Sequence, residues 1–177
     1  MTVKYAITGH TKNIGKFIYE KFDNAIGFSR SNGYDITKKC DRKRIIQESY
    51  NCDVFINNAP AGFGQAELCL DLWHQWKDRN KIIINVGSRI AEDSVVVPNE
   101  YSHLLEYSMQ KRTLKTLSID LNKINTNVKI EYVWFGYVGT PEILAKYPHF
   151  TKNDYISIEE ASDIILGKVN EKFYKVI

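Results

Sequence analysis

Tyr107-Ser108-Met109-Gln110-Lys111 sets a phenol four residues ahead of an ammonium. Residues i and i+4 share a helix face, so in a helix the two groups project together. Such a pair suits proton transfer at a carbonyl or alcohol oxygen. The phenol is the acid or base, and a nearby cation lowers its ordinary pKa of about 10. A second stretch with chemical potential is Thr8-Gly9-His10-Thr11-Lys12-Asn13-Ile14-Gly15. A phosphate loop must turn sharply, bring backbone N–H groups near the anion and aim a helix N-terminus at its charge. Glycine serves the first two needs, and asparagine is the best non-glycine occupant of left-handed backbone. Each pattern alone has a plain reading: two glycines make an ordinary turn, and Y-x-x-x-K is an amphipathic tyrosine with a surface lysine. They gain force only in company.

The elements that must carry these residues alternate. Apolar runs predict strands at Val3–Thr8, Ala25–Phe28, Gly33–Ile36, Asp53–Asn57, Lys81–Val86, Val128–Trp134 and Phe173–Ile177. Helical periodicity or capping predicts helices at Ile14–Phe22, Lys39–Tyr50, Glu67–Asp78, Glu100–Asn122, Pro141–Tyr147 and Ser157–Lys168. Ser157 followed by Glu160 is a capping box, and Pro141 suits a first helical position. Strand and helix in alternation imply a parallel sheet with helices on both faces. The expectation is α/β: a single doubly wound Rossmann-type domain over 1–177, with a mostly parallel sheet of six to seven strands.

Composition narrows the function classes. With 177 residues, 44% of them hydrophobic, the chain suits one domain with a real core. A net charge of +3, with acids and bases interleaved, gives a nucleic-acid partner little support. No apolar stretch reaches the roughly 18 residues of a membrane span, and the N-terminus has no secretory pattern, so the expected location is cytoplasmic. Cys40, Cys52 and Cys69 are too few and too irregular for a disulfide framework and are expected as reduced, buried thiols. His10, His74, His103 and His149 lack metal-ligand spacing, and no metal is expected.

Taken in order along the chain, several motifs resemble those of the short-chain dehydrogenase/reductases. The Thr8–Gly15 loop is similar to their T-G-x-x-x-G-x-G, with Asn13 in place of the middle glycine. Asp35-Ile36-Thr37 resembles D-V-T, although Asp35 is equally a loop or capping aspartate. Asn57-Asn58-Ala59-Pro60 resembles N-N-A-G with Pro60 for glycine, and Asn85-Val86-Gly87-Ser88 resembles N-x-S-S with Gly87 for the first serine. Tyr107/Lys111 supplies Y-x-x-x-K, and Phe135-Gly136-Tyr137-Val138-Gly139-Thr140 resembles P-G-x-V-x-T with Phe135 for proline.

The resemblance implies a nicotinamide dinucleotide held by Gly9, His10, Thr11, Lys12, Asn13 and Ile14 at the phosphates. It implies Asp35 and Ile36 at the adenine, Asn58 and Ala59 at its ribose, and Val138 and Thr140 at the carboxamide, with Asn57 bracing the sheet. Arg30 stands where an NAD-preferring member carries an acid, so NADP(H) is expected over NAD(H), through a bidentate contact with the 2′-phosphate. Tyr107 would be the acid/base; Lys111 would lower its pKa and hold the nicotinamide ribose, and Ser88 would orient the carbonyl.

The chain reads as a shortened member. Most of the shortfall lies between Asn58 and Asn85, where the family carries an asparagine of a proton relay. Asn80 adjoins the next strand too closely for that role, and the relay is left unassigned. The same region often forms the family's subunit contact, so self-association is left open. Tyr101 fits the usual separation from Ser88 better than Tyr107 does, but four residues on stands Leu105; an insertion around Ala91–Glu100 then loops out near the site. The expected substrate is a small carbonyl or alcohol, bound between Ala61–Trp76 and Thr140–Tyr155. Phe63, Trp73, Trp76, Tyr147 and Phe150 serve equally as its lining or as core. The rival expectation is a catalytically idle dinucleotide-binding module.

Overall fold

The structure is a computed structural model, and it describes residues 2–92 and 96–173. β1 (Tyr5–Thr8), β2 (Ile26–Phe28), β3 (Val54–Asn57), β4 (Ile82–Val86) and β5 (Lys129–Val133) form one sheet in the order β2-β1-β3-β4-β5. Every pairing is parallel. The helices are α1 (Asn13–Tyr19), α2 (Lys39–Glu48), α3 (Gly64–Trp76), α4 (Leu105–Lys123), α5 (Pro141–Lys146) and α6 (Ile158–Phe173), with tight 3-10 turns at Arg30–Asn32, Arg89–Ala91 and Asn99–Leu104.

Side chains alternate across a strand, so each strand feeds two cores. Ala6, Phe28, Phe55, Ile83 and Ile130 meet Ile45 of α2, Leu68, Leu72 and Trp76 of α3, and Leu114 and Leu121 of α4. Ile7, Val54, Ile56, Ile82, Ile84 and Val133 meet Ile14 and Ile18 of α1, and Ala161, Ile165 and Val169 of α6. The fold is doubly wound, as the alternation predicts. The Ser157/Glu160 capping box opens α6 with reciprocal bonds of 3.0 and 2.8 Å.

Five expectations are corrected. Among the described residues the sheet has five strands, not six or seven. The segment Gly33–Ile36 is no strand: Gly33 is left-handed and ends a 3-10 turn, and Asp35 folds back to accept from the Thr37 backbone and hydroxyl. Of the final strand expected over Phe173–Ile177, Phe173 instead ends α6 and the rest lies outside the described residues. The helix expected from Glu100 begins at Leu105, after a 3-10 segment. Cys52 and Cys69 are buried as expected, but Cys40 is exposed. Among the described residues, no helix is long and apolar enough to cross a membrane.

The strand order reverses between β1 and β3, with α1 and α2 leaving to opposite faces. In open parallel sheets a crevice opens at such a point, beyond the carboxyl ends of the strands.

Candidate active site

At the reversal point Thr8 ends β1 with its side chain fully buried. Its hydroxyl accepts the backbone N–H of Asn58 at 2.9 Å and of Ala59 at 3.1 Å, and the Asn58 amide donates back to the Thr8 carbonyl at 3.2 Å. These bonds pin the loop after β3 against the loop after β1. Gly9 then turns at φ +71° and Asn13 at φ +48°, the left-handed backbone that the Asn-for-Gly replacement anticipates. A Cβ on Gly15 would lie 2.2 Å from the Gly9 carbonyl oxygen, so α1 can approach the strand tip only because residue 15 has no side chain.

A cleft of about 700 Å³ runs over these tips. Gly9, Thr11, Lys12, Asn13 and Ile14 line it, together with Arg30, Asp35, Ile36, Asn58, Ala59, Tyr107, Lys111 and Thr140. Thirteen of the fifteen residues expected to hold the cofactor therefore line one cleft. His10 does not: its ring lies over Gly27, where a Cβ would touch it at 2.2 Å, and packs 4.8 Å from Tyr19. Val138 lines a neighbouring cavity instead. A bare-backbone turn, a helix N-terminus and flanking cations suit a dinucleotide; exposed Arg30 lines the cleft together with Ser29 and Ser31, whose hydroxyls bond each other at 2.7 Å.

The neighbouring cavity, about 590 Å³, shares Ile14, Val86, Gly87, Tyr107, Thr140 and Ile143 with the cleft and adds Ser88, Arg89, Tyr101, Phe135, Val138 and Tyr147. Tyr107 thus stands at the junction. Tyr101 is 51% exposed and lines only this second cavity, so of the two tyrosines Tyr107 alone reaches both. Burial raises the Tyr107 phenol above its ordinary pKa, and a hydrogen bond with the Ser88 hydroxyl offsets part of that rise. The lowering expected from Lys111 is not what the pocket produces by itself; the ammonium stands 5.7 Å from the phenol ring centre and is engaged elsewhere.

Lys111 is 4% exposed, and burial brings its pKa down to about 8. Its ammonium donates to the Gln65 amide oxygen at 2.8 Å and to the Val86 carbonyl at 3.0 Å. Gln65, 3% exposed in the first turn of α3, fixes its own orientation by donating to the carbonyls of Asn57 at 2.6 Å and Val86 at 3.0 Å. Sequence reasoning missed Gln65, and no signal marks it: a glutamine near a helix start reads as solvated. It fills the region where the relay was left unassigned. Asn57 braces the sheet as expected, donating to the Gln65 carbonyl at 2.8 Å and the Asn85 side chain at 2.9 Å, while Asn85 donates to Ser118.

The expected substrate walls are partly corrected. Trp73 and Trp76 turn inward and are core, and Phe63 is exposed and lines neither cavity. Tyr147 does line the second cavity, stacked on Phe150 at 4.7 Å. Thr140 accepts from the Ile143 backbone at 3.3 Å and so caps α5 beside it. Residues 96–98, part of the expected insertion, also contribute to this cavity.

No family profile and no curated protein matches the sequence. Solved structures do match. The chain is similar to the 3-alpha-hydroxysteroid dehydrogenase from Pseudomonas sp. B-0831 complexed with NADH, at 16% identity and a TM-score of 0.72, over 96% of this chain and 91% of that one. It is similar to a short chain dehydrogenase from Burkholderia cenocepacia J2315 in complex with NADP, at 17% identity and 0.72, over 96% and 86%. Serine dehydrogenase from Escherichia coli matches at 15% identity and 0.67, over 93% and 90%. At such identities the shared property is the fold, which is that of the short-chain dehydrogenase/reductases.

Proposed function

We propose that the chain is a single-domain, NADP(H)-dependent oxidoreductase that interconverts a carbonyl and an alcohol. The observation that carries this reading is the position of Tyr107, which stands where a cleft suited to a dinucleotide meets a second, largely apolar cavity that Ser88 also lines. The neighbours complexed with NADH and NADP lend the cofactor class support.

The dinucleotide, when bound, supplies or accepts the hydride. Reduction of a carbonyl builds negative charge on its oxygen, which needs a positioned hydrogen-bond donor and a proton. Ser88 orients that oxygen and Tyr107 protonates it. A buried phenol with a raised pKa keeps its proton at neutral pH, the form that reduction requires. In the reverse direction Lys111 stabilises the phenolate. Two of its three N–H groups go to Gln65 and Val86, and the third serves the nicotinamide ribose. Gly9, Thr11, Lys12, Asn13 and Ile14 hold the phosphates, Asp35 and Ile36 flank the adenine, Asn58 and Ala59 its ribose, and Thr140 with Val138 meets the carboxamide. Arg30 reads the 2′-phosphate.

NADPH oxidation followed across a panel of aldehydes and ketones tests the reaction. Tyr107→Phe is expected to lower kcat at least 100-fold, the usual scale of a lost general acid. Full turnover by that variant would overturn the mechanism. Arg30→Ala is expected to weaken NADPH roughly 10- to 100-fold, the worth of a charge-assisted bond of about 1.5–3 kcal/mol, and NADH far less. Equal losses would remove Arg30 from 2′-phosphate recognition. NADPH binding with no turnover across the panel would favour the idle binding module instead.

A further inference from the structure

The second cavity is walled by apolar side chains, among them Ile90, Val97, Leu104, Phe135 and Ile143, and by Tyr137 and Tyr147, on which Phe150 packs. Two cations interrupt that lining. Arg89 follows Ser88 directly and is tied down by its backbone N–H, which donates to the Phe135 carbonyl at 2.8 Å. Its Cδ lies 3.9 Å from where a Cβ on Gly136 would stand. Lys146 ends α5, its ammonium 5.4 Å from the Tyr147 ring centre. Among the described residues neither is paired with a carboxylate and no acidic residue lines the cavity. The cleft for the dinucleotide has its own cations in Lys12 and Arg30, and Arg89 and Lys146 do not line it. Two positive charges set in an apolar, low-dielectric wall focus a field that favours an anionic ligand.

We infer that the substrate is an amphipathic keto acid, its apolar or aryl body in the cavity and its carboxylate held by Arg89 and Lys146. This rests on the carbonyl-reductase reading above. In the step itself the carbonyl carbon gains a hydride from NADPH and its oxygen gains the Tyr107 proton. NADP+ and a hydroxy acid are left, and solvent returns the proton to Tyr107. Ser88 and Arg89 line the same cavity, so the reacting carbonyl and the carboxylate are held within one pocket.

Two measurements test the inference. The first compares NADPH-dependent reduction of 4-oxo-4-phenylbutanoate with that of its methyl ester. The expected kcat/KM ratio is at least tenfold for the acid, falling toward one in the R89M/K146M double variant. The second is calorimetric titration of 4-phenylbutyrate into the protein with NADP+, against 4-phenylbutyramide. The butyrate is expected to bind at least tenfold more tightly, and the double variant to lose that margin. An ester reduced as well as the acid, or a preference that survives in the double variant, overturns the inference and leaves the reductase reading intact. If neither compound is reduced while NADPH still binds, the reductase reading fails for this substrate class. The titration then decides the anion site: a margin lost in the double variant upholds it, and equal binding of butyrate and butyramide ends it.

Discussion

Lys111 is the residue on which the electrostatics of the site turn. Its ammonium is buried with neutral oxygens as its hydrogen-bond partners, so nothing in that shell repays the lost hydration as a carboxylate would, and its pKa falls to about 8. Gln65 determines where that ammonium points. Its amide nitrogen is committed to the carbonyls of Asn57 and Val86, which leaves the amide oxygen facing Lys111; turning the amide over would set two carbonyls against an oxygen and an ammonium against an NH2 group. Gln65→Leu keeps the bulk and removes all three bonds. Each buried polar group left without a partner costs roughly 1–3 kcal/mol, so chemical denaturation is expected to show a loss of about 3 kcal/mol or more. A loss under about 0.5 kcal/mol, the scale of an inert surface change, would mean that the amide holds nothing. At this scale the reacting set was legible, because Y-x-x-x-K, the Ser88 turn and Arg30 are patterns in the chain itself. Gln65 was not legible, since its meaning comes from a lysine 46 positions away that only the folded chain brings to it. The same holds for the Thr8 hydroxyl, which serves loops 50 residues apart.

At the scale of elements, the alternation of apolar runs and helical faces found every strand of the sheet that the structure describes. The false strand at Gly33–Ile36 shows why pattern alone over-reads. Its side chains are spent on other bonds: the Tyr34 hydroxyl donates to Glu48, and Asp35 accepts from the Thr37 backbone and hydroxyl. The buried Arg42 donates to the Ile36 carbonyl while pairing with Glu67 and Asp71 of α3. The tryptophans misled for a related reason: helical periodicity says that Trp76 lies on an apolar face, but not whether that face meets the sheet or a ligand. The contact of α1 with the strand tips gives a sharp test. Gly15→Ala would place a methyl group 2.2 Å from backbone at Gly9 and 2.8 Å from the Asn58 amide, and backbone cannot move aside cheaply. Overpacking of this kind costs typically 1–3 kcal/mol, and NADPH affinity is expected to fall at least tenfold because the phosphate loop moves with α1. Gly167 of α6 is the counterpart, with open space where its Cβ would be. Gly167→Ala is expected to stabilise by roughly 0.5–1 kcal/mol. Paired denaturation curves and NADPH titrations check both; equal effects would show that the close approach at Gly15 is not what positions the loop.

Over the whole molecule, buried titrating groups make stability depend on pH in opposing directions. Lys111 binds its proton less tightly when folded, with a pKa of about 8 against an ordinary 10.5. Between those values the unfolded chain holds more protons than the folded one, so stability rises with pH there. Lys81, also lowered by burial, acts in the same direction. Cys69 and Tyr132 are pushed up to about 12 from 9.0 and 10.0. They keep protons in the folded state that the unfolded chain gives up, so stability falls as pH climbs through 9 and beyond. The clean window for Lys111 is therefore pH 8 to 9, before the opposing groups dominate. Comparison with Lys111→Met isolates it, because Lys81, Cys69 and Tyr132 contribute alike to both proteins and cancel in the difference. One pH unit corresponds to 1.36 kcal/mol per proton, and Lys111 is half to nearly fully deprotonated across this window. The stability of the wild-type chain relative to the variant is therefore expected to increase by about 1 kcal/mol from pH 8 to 9, read from urea midpoints at constant ionic strength. Below about pH 7 both states hold the Lys111 proton and the difference should be flat. A flat difference through pH 9 as well would mean that the Gln65 and Val86 oxygens restore the lost hydration, and that Lys111 stays charged well above neutral pH.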